Sequence, residues 1–415
     1  GGHLFKARAD GRDAAVQLTR QAAEYEQVTW ANDGQRVVAI RNPARAFQEA
    51  VGPGFGGAEA DIVWVPAAGG DATVVAPAEG RQAPHFVQGS DRLYLHHNQK
   101  GLVSIRLDGT DEKAHVKVTG ATRPGQQQPD RADVVLMAPR GDQALAQVYN
   151  DLYVVTVPKV GGEAPTISVS DSSSAAFPAR RLTDIGGQFP VWDASGRKVH
   201  WSVGNAHFVY DLDAAKAYED SVKAAEKAAA ADSVGAAADS ASADSTAAKK
   251  DDGYKPAEHR IRIEADRDVP SGVVVLRGAR VITMKGSEVI EGADVVVRSN
   301  RIEAVGRRGS VAVPEGAQIV DVSGKTIVPG FVDTHSHMWP SWGIHKTQNW
   351  IYLANLAYGV TATRDPQTAT TDVLTYGDLV TAGRMLGPRV YSTGPGIFGD
   401  YGEDAIKDLD HARDI

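Results

Sequence analysis

The sequence predicts a multidomain chain: an incomplete all-β propeller, then a small β-sandwich, then the opening of a parallel β/α domain. Three observations carry this. Residues 1–212 repeat a unit of short strands and Gly/Asp turns. Residues 271–325 hold short apolar strands with glycines between them. From residue 326 an apolar strand ends in Asp333-Thr334-His335-Ser336-His337, and helical and strand patterns then alternate.

Within residues 1–212, strand-like runs stand at Val37–Ile40, Arg92–Leu95 and Lys198–Trp201, the last two alternating polar and apolar residues as strands do. One unit recurs: an aromatic residue, a polar turn and a strand. It stands at Trp30-Ala31-Asn32-Asp33-Gly34, at Phe86 to Asp91 and at Trp192-Asp193-Ala194-Ser195-Gly196, with a degraded copy at Met137–Asp142. A second strand and a Gly turn follow, as at Ile62–Pro66, Val103–Leu107 and Leu152–Pro158. His3–Ala9 reads as the tail of an earlier unit. Repeats of roughly 40–55 residues with about four strands each are the pattern of propeller blades, and about four fit here. The Trp and Phe residues are expected in blade cores rather than as ligand platforms. His96-His97 is expected as a strand pair pointing to opposite faces, not as a metal site.

The 415 residues suffice for two or three domains with real cores. A net charge of −8, with acidic and basic residues interspersed, argues against nucleic acid as a partner. No apolar run approaches a membrane span. The absence of cysteine excludes disulfides, thiolate metal sites and cysteine nucleophiles. It fits an exported protein and many cytosolic ones alike. A periplasmic or secreted location is the expectation, with any signal peptide upstream of Gly1. Residues 213–253 form an Ala/Ser/Asp-rich insertion: a solvated helix is expected over 213–231, and 232–252 cannot bury apolar surface. Tyr254–Asp268 reads as a last strand on the propeller side, with a boundary near Pro270.

The chemistry concentrates at the end of the strand. Thr326–Val332 reads as buried and apolar. Along an extended strand, residues two apart face one side, so His335 and His337 can aim both imidazoles at one point. Asp333 shares that parity and is positioned to orient a histidine by accepting its second N–H. Two neutral imidazoles so spaced make half a site for Zn²⁺ or a similar ion. A helix over 347–358, a strand over Val360–Arg364, a helix over 371–383, a strand over Pro388–Thr393 and a helix from Gly402 to Ile415 complete the pattern.

These residues carry a resemblance. Gly278–Thr283, Val295–Gly306, Gly324–His337 and Ala357–Asp365 follow one another as in the amidohydrolase superfamily, near its imidazolonepropionase-like and prolidase-like members. The repeats in front resemble the TolB-type, WD40-like propeller. The resemblance implies that residues 326–415 are the first part of a (β/α)8 barrel, with the site at the C-terminal rim of the strands. It implies a divalent metal, zinc foremost, held in part by His335 and His337, and hydrolysis of a C–N bond in a small-molecule or peptide-like substrate. Further ligands and a general-base Asp come from later strands in that family, so the chain reads as truncated at both ends, and as given is expected to be inactive. Asp365, at the end of the second strand, is expected to support a ligand rather than to be one. His345 is expected in a surface or substrate loop. Trp339, Trp342 and Trp350 could line the pocket mouth or simply pack. The propeller is expected to restrict access or to hold a homo-oligomer together.

Two other readings compete. One is a propeller-based protein-binding module with a non-catalytic amidohydrolase-like domain, decided by whether later strands carry Lys, His and Asp at their ends. The other is a propeller-fused serine peptidase, which needs a Gly-x-Ser-x-Gly elbow that this sequence lacks.

Overall fold

A computed structural model describes residues 2–42, 60–122, 126–159, 161–171, 175–235, 253–338, 345–368, 372–394 and 396. Two compact units divide the chain, Gly1–Ile261 and Arg262–Phe398. The architecture is mostly β, and no helix among the described residues is long and apolar enough to cross a membrane.

The first unit begins with an antiparallel pair, β1 (Phe5–Lys6) and β2 (Val16–Gln17). A four-stranded antiparallel sheet follows: β3 (Glu24–Trp30), β4 (Arg36–Asn42), β5 (Asp61–Pro66) and β6 (Thr73–Pro77). The next sheet is β7 (Arg81–Phe86), β8 (Arg92–His97), β9 (Gly101–Arg106) and β10 (Lys113–Thr119). The third is β11 (Val134–Met137), β12 (Gln143–Val148) and β13 (Asp151–Thr156). The chain then leaves to lay β14 (Thr166–Ser168) parallel to β10, and returns with β15 (Ala179–Arg181) beside β13. The fourth is β16 (Gln188–Trp192), β17 (Lys198–Val203), β18 (Ala206–Asp211) and β19 (Ala257–Arg260).

Strand periodicity explains how these sheets stack in chain order. Successive side chains point to opposite faces. Ala144, Ala146, Tyr153 and Val155 therefore meet Leu102, Val116 and Val118 of the sheet before, while Leu145, Leu152 and Val154 meet Trp192, Val199 and Trp201 of the sheet after. Val38, Ile40 and Ile62 share a further core with Leu93, Leu95, Val103 and Ile105. A strand apolar at both parities is thus buried on both faces.

The recurrent turn has a local cause. Asp193 Oδ1 accepts the backbone N–H of Arg197 and of Lys198 at 3.1 and 3.0 Å, and Asp33 Oδ1 accepts that of Gln35 at 2.8 Å. The aromatic residue opening the unit does not behave uniformly, which corrects the expectation of a core role for each. Trp192 is buried and donates its indole N–H to Leu136 O at 3.0 Å, on the sheet before it. Trp30 is 49% exposed.

Helix α1 (Leu212–Gly235) follows β18. It extends four residues past the expected stop at 231, into the segment expected to lack structure. Residues 236–252 lie outside the described ones. Asp211 caps it, its Oδ1 accepting the N–H of Asp213 and of Ala214 at 3.0 Å each. The Ala214 N–H holds the Asp211 carboxyl below its usual range. A group with a depressed folded pKa stabilises above its unfolded value, about 3.9, and loses that contribution as pH falls through the folded one. Asp211→Ala is expected to cost about 1 kcal/mol at neutral pH. The difference from the parent should shrink below about pH 4, measured by urea unfolding across pH. The strand expected over 254–268 is confined to β19, because its partner β18 starts at Ala206, opposite Arg260. Ile263 is 87% exposed.

The second unit opens with a mixed sheet of β20 (Val273–Ile282), β21 (Val289–Arg298), β22 (Arg301–Arg307), β23 (Gln318–Asp321) and β24 (Thr326–Ile327). Here the strands expected as a sandwich share one sheet. Val273–Leu276 and Arg280–Thr283 merge into β20 across a bulge at Gly278, whose φ of +83° favours glycine. The buried Asp294 accepts the Gly278 N–H at 3.2 Å.

A parallel three-stranded sheet follows, ordered β25 (Phe331–Asp333), β26 (Val360–Asp365), β27 (Arg389–Ser392). Helices α2 (Trp350–Ala357) and α3 (Asp372–Thr381) make the two crossovers that parallel strands require. Asn349 caps α2, accepting the Ile351 N–H at 3.1 Å. The single strand expected over 326–333 is therefore two, in two different sheets. Pro329 lacks an N–H for a ladder, and a Cβ at Gly330 would collide with the Thr361 side chain. The strand is also not buried: β25 is an edge, and Phe331 and Val332 are 61% and 63% exposed. The helix expected over 402–415 lies outside the described residues.

Candidate metal centre

His335 and His337 lie just past the end of β25, in a bend rather than on the strand. Two bonds shape that bend. Asp333 Oδ1 accepts the backbone N–H of His335 at 3.1 Å, and Arg364 O accepts that of Ser336 at 3.0 Å. The two imidazoles are neighbours, with ring centroids 5.1 Å apart and planes at 89°.

Asp365, at the end of β26, organises the second ring. It is buried, at 1% exposure. Its Oδ1 lies 3.1 Å from His337 Nδ1 and accepts the Gln367 N–H at 3.1 Å; its Oδ2 accepts the Met338 N–H at 3.1 Å. The Gln367 carbonyl also lies 3.0 Å from His337 Nδ1. Both neighbours of Nδ1 accept, so Nδ1 carries the hydrogen and the lone pair sits on Nε2. This is the arrangement of a metal-binding histidine, whose far N–H is held by a carboxylate or carbonyl.

The role expected of Asp333 is corrected. Its carboxylate bonds the main chain two residues on, as aspartates at turns do, and not an imidazole. The carboxylate that meets an imidazole of this pair is Asp365. Nothing in the sequence indicated the Gln367 carbonyl or the Met338 N–H, which belong to the backbone; the strand-end position of Asp365 was the one legible signal. His345 Nε2 lies 2.8 Å from Asp372 Oδ1, and its ring stands 5.0 Å from that of Tyr376, whose hydroxyl accepts the Lys346 N–H at 3.0 Å. His345 is thus tied to α3. Trp350 is 72% exposed at the start of α2, while Trp339 and Trp342 lie outside the described residues. His96 and His97 are both buried on β8; His97 Nδ1 accepts the Gln99 N–H at 3.0 Å.

Two imidazoles with one tautomer fixed suit a divalent ion in donor type, but a catalytic zinc takes three protein ligands. Among the described residues, no three His, Asp or Glu side chains are arranged to hold an ion. By itself the pair would supply two of the donors that such an ion takes.

No protein-family profile matches the chain. Among curated proteins it is 35% identical to "Adenine deaminase 1" of Jannaschia sp. (strain CCS1) over 65 residues, 16% of this chain and 11% of that protein. It is 34% identical over 97 residues to the Bos taurus protein named "Probable imidazolonepropionase", 21% of this chain and 22% of that one. Among solved structures, a prolidase-type protein from Bifidobacterium longum is 27% identical, with 30% of this chain and 31% of that chain covered and a TM-score of 0.27. The chain thus spans 11% and 22% of the length of these two curated relatives. The two curated relatives support the amidohydrolase resemblance at the level of the superfamily.

Proposed function

We propose that this chain carries the first half of the metal site of a hydrolase that cleaves C–N bonds in amide, cyclic amide or peptide-like substrates. The observation that carries the proposal is the His335–His337 pair, with His337 Nδ1 held by the buried Asp365. The two curated relatives are named an adenine deaminase and a "Probable imidazolonepropionase", consistent with chemistry at a carbon–nitrogen bond. A divalent ion, zinc foremost, would supply Lewis acidity toward the scissile carbonyl and a lowered pKa for water. The chain's own part is to present two nitrogens, fix the His337 tautomer through Asp365 and Gln367, and hold the bend through Asp333. The remaining donors would come from residues other than the described ones. In the same reading, the stacked sheets of the first unit are propeller blades, and the two β-α-β crossovers begin a (β/α)8 barrel.

The test is metal stoichiometry by mass spectrometry of the purified chain and of His335→Ala and His337→Ala, each after zinc loading and dialysis. Each variant is expected to lose one equivalent. Retention of the full complement by both variants would remove the metal site and the hydrolase reading with it. Turnover of amide substrates is expected only where further donors join the pair.

A further inference from the structure

A cavity of about 220 Å³ lies in the first unit, which does not contain His335 and His337. Its place follows from the pairing of β10. That strand pairs with β9 as far as Val116, opposite Leu102, and beyond it Thr119 pairs with Arg131. The cavity sits where the neighbour changes, lined there by Gly101, Lys117, Thr119 and Arg131. His96 of β8 lines it too, and the register says why. His96 stands opposite Leu102 across the β8–β9 ladder, and Leu102 belongs to the core shared with the third sheet. His96 therefore faces that sheet, whose Val135 is also in the lining.

Two features of the lining point to a ligand. His96 is 2% exposed, and its Nδ1 has no hydrogen-bond partner among the described residues. Burial, and after it the neighbouring His97, pushes this imidazole down to about 4, so it is neutral near pH 7. A neutral imidazole offers one N–H and one lone pair, and a buried ring nitrogen left unpaired is costly. Charge is the second feature. Lys117 and Arg131, both exposed, bring two cations to the lining, and no carboxylate stands among its described residues.

We propose that this cavity binds a small hydroxydicarboxylate, with its carboxylates against Lys117 and Arg131 and its hydroxyl on His96 Nδ1. A hydroxyl suits Nδ1 in either tautomer, because it can donate or accept. Carboxylates suit the cations: a guanidinium takes two oxygens in a fork, and an ammonium acts as a point charge. Two carboxylates balance two cations, and the volume far exceeds what a single water needs.

The experiment uses the full 415-residue chain, freed of metal on a chelating resin so that no ion at His335 and His337 can recruit an acid. L-Malate and succinate, which differ by one hydroxyl, are titrated calorimetrically. Malate is expected to bind at one equivalent, about 10-fold more tightly than succinate. Arg131→Gln and Lys117→Gln should each weaken malate about 10–100-fold. His96→Leu should abolish the preference for malate and leave succinate binding in place. His96→Asn returns a polar nitrogen near the position of Nδ1 and should restore part of the preference. Circular dichroism confirms that each variant is folded. Absence of saturable malate binding to the parent chain overturns the proposal. Equal affinity for the two acids, or malate binding unchanged in both cation variants, overturns it as well. Because the chain is metal-free throughout, none of these outcomes bears on the hydrolase reading.

Discussion

Asp365→Ala is expected to destabilise the second unit by about 3–5 kcal/mol and to weaken metal binding at His337 by about 10–100-fold. The carboxylate is buried and serves three partners: the His337 imidazole and the backbone N–H groups of Met338 and Gln367. Its removal leaves Met338, itself at 1% exposure, with a buried N–H and no acceptor. Each such orphan costs about 1–3 kcal/mol. The imidazole loses one of the two acceptors at Nδ1, leaving the Gln367 carbonyl alone to hold its tautomer and orientation. Asp365→Asn keeps one carbonyl oxygen but turns an NH₂ toward donors, and should fall between. Urea unfolding and zinc titration of the two variants measure both effects. Zinc affinity unchanged in a folded Asp365→Ala variant would show that the carboxylate serves the backbone alone.

The two tryptophans that open repeat units are expected to differ sharply. Trp192→Ala should cost about 3–5 kcal/mol, because a large side chain leaves a packed core and Leu136 O loses its donor. Trp30→Ala should cost about 0–1 kcal/mol, because half of that ring already meets water. Both substitutions remove the same atoms from the same motif, so chemical denaturation of the pair isolates the surroundings. Equal costs would mean that Trp30 is covered in solution.

Local patterns told much of the fold. Alternation marks β8 and β17, because a strand repeats its facing every two residues and the signal needs no partner. The Asp of each turn is legible for the same reason: its carboxylate bonds a main-chain N–H within a few residues. What failed depended on distant residues. The apolar run at 326–333 reads as one strand, yet Thr326–Ile327 pairs with β20 and Phe331–Asp333 with β26. The run does not reveal that the Thr361 side chain, roughly a helix-and-turn later, needs the space a side chain at Gly330 would fill.

The candidate centre divides the same way. By itself the sequence determined the residue types: two histidines two apart, after an apolar strand, with an aspartate before them and another at the next strand's end. Only the tertiary structure decided which aspartate meets an imidazole. Asp333, two residues from His335, turns to the main chain; Asp365, 28 residues from His337 in sequence, lies beside it because parallel pairing of β25 and β26 brings the two strand ends together. Spacing along a chain fixes which side chains can be neighbours locally, whereas a contact across a crossover exists only once the sheet has formed.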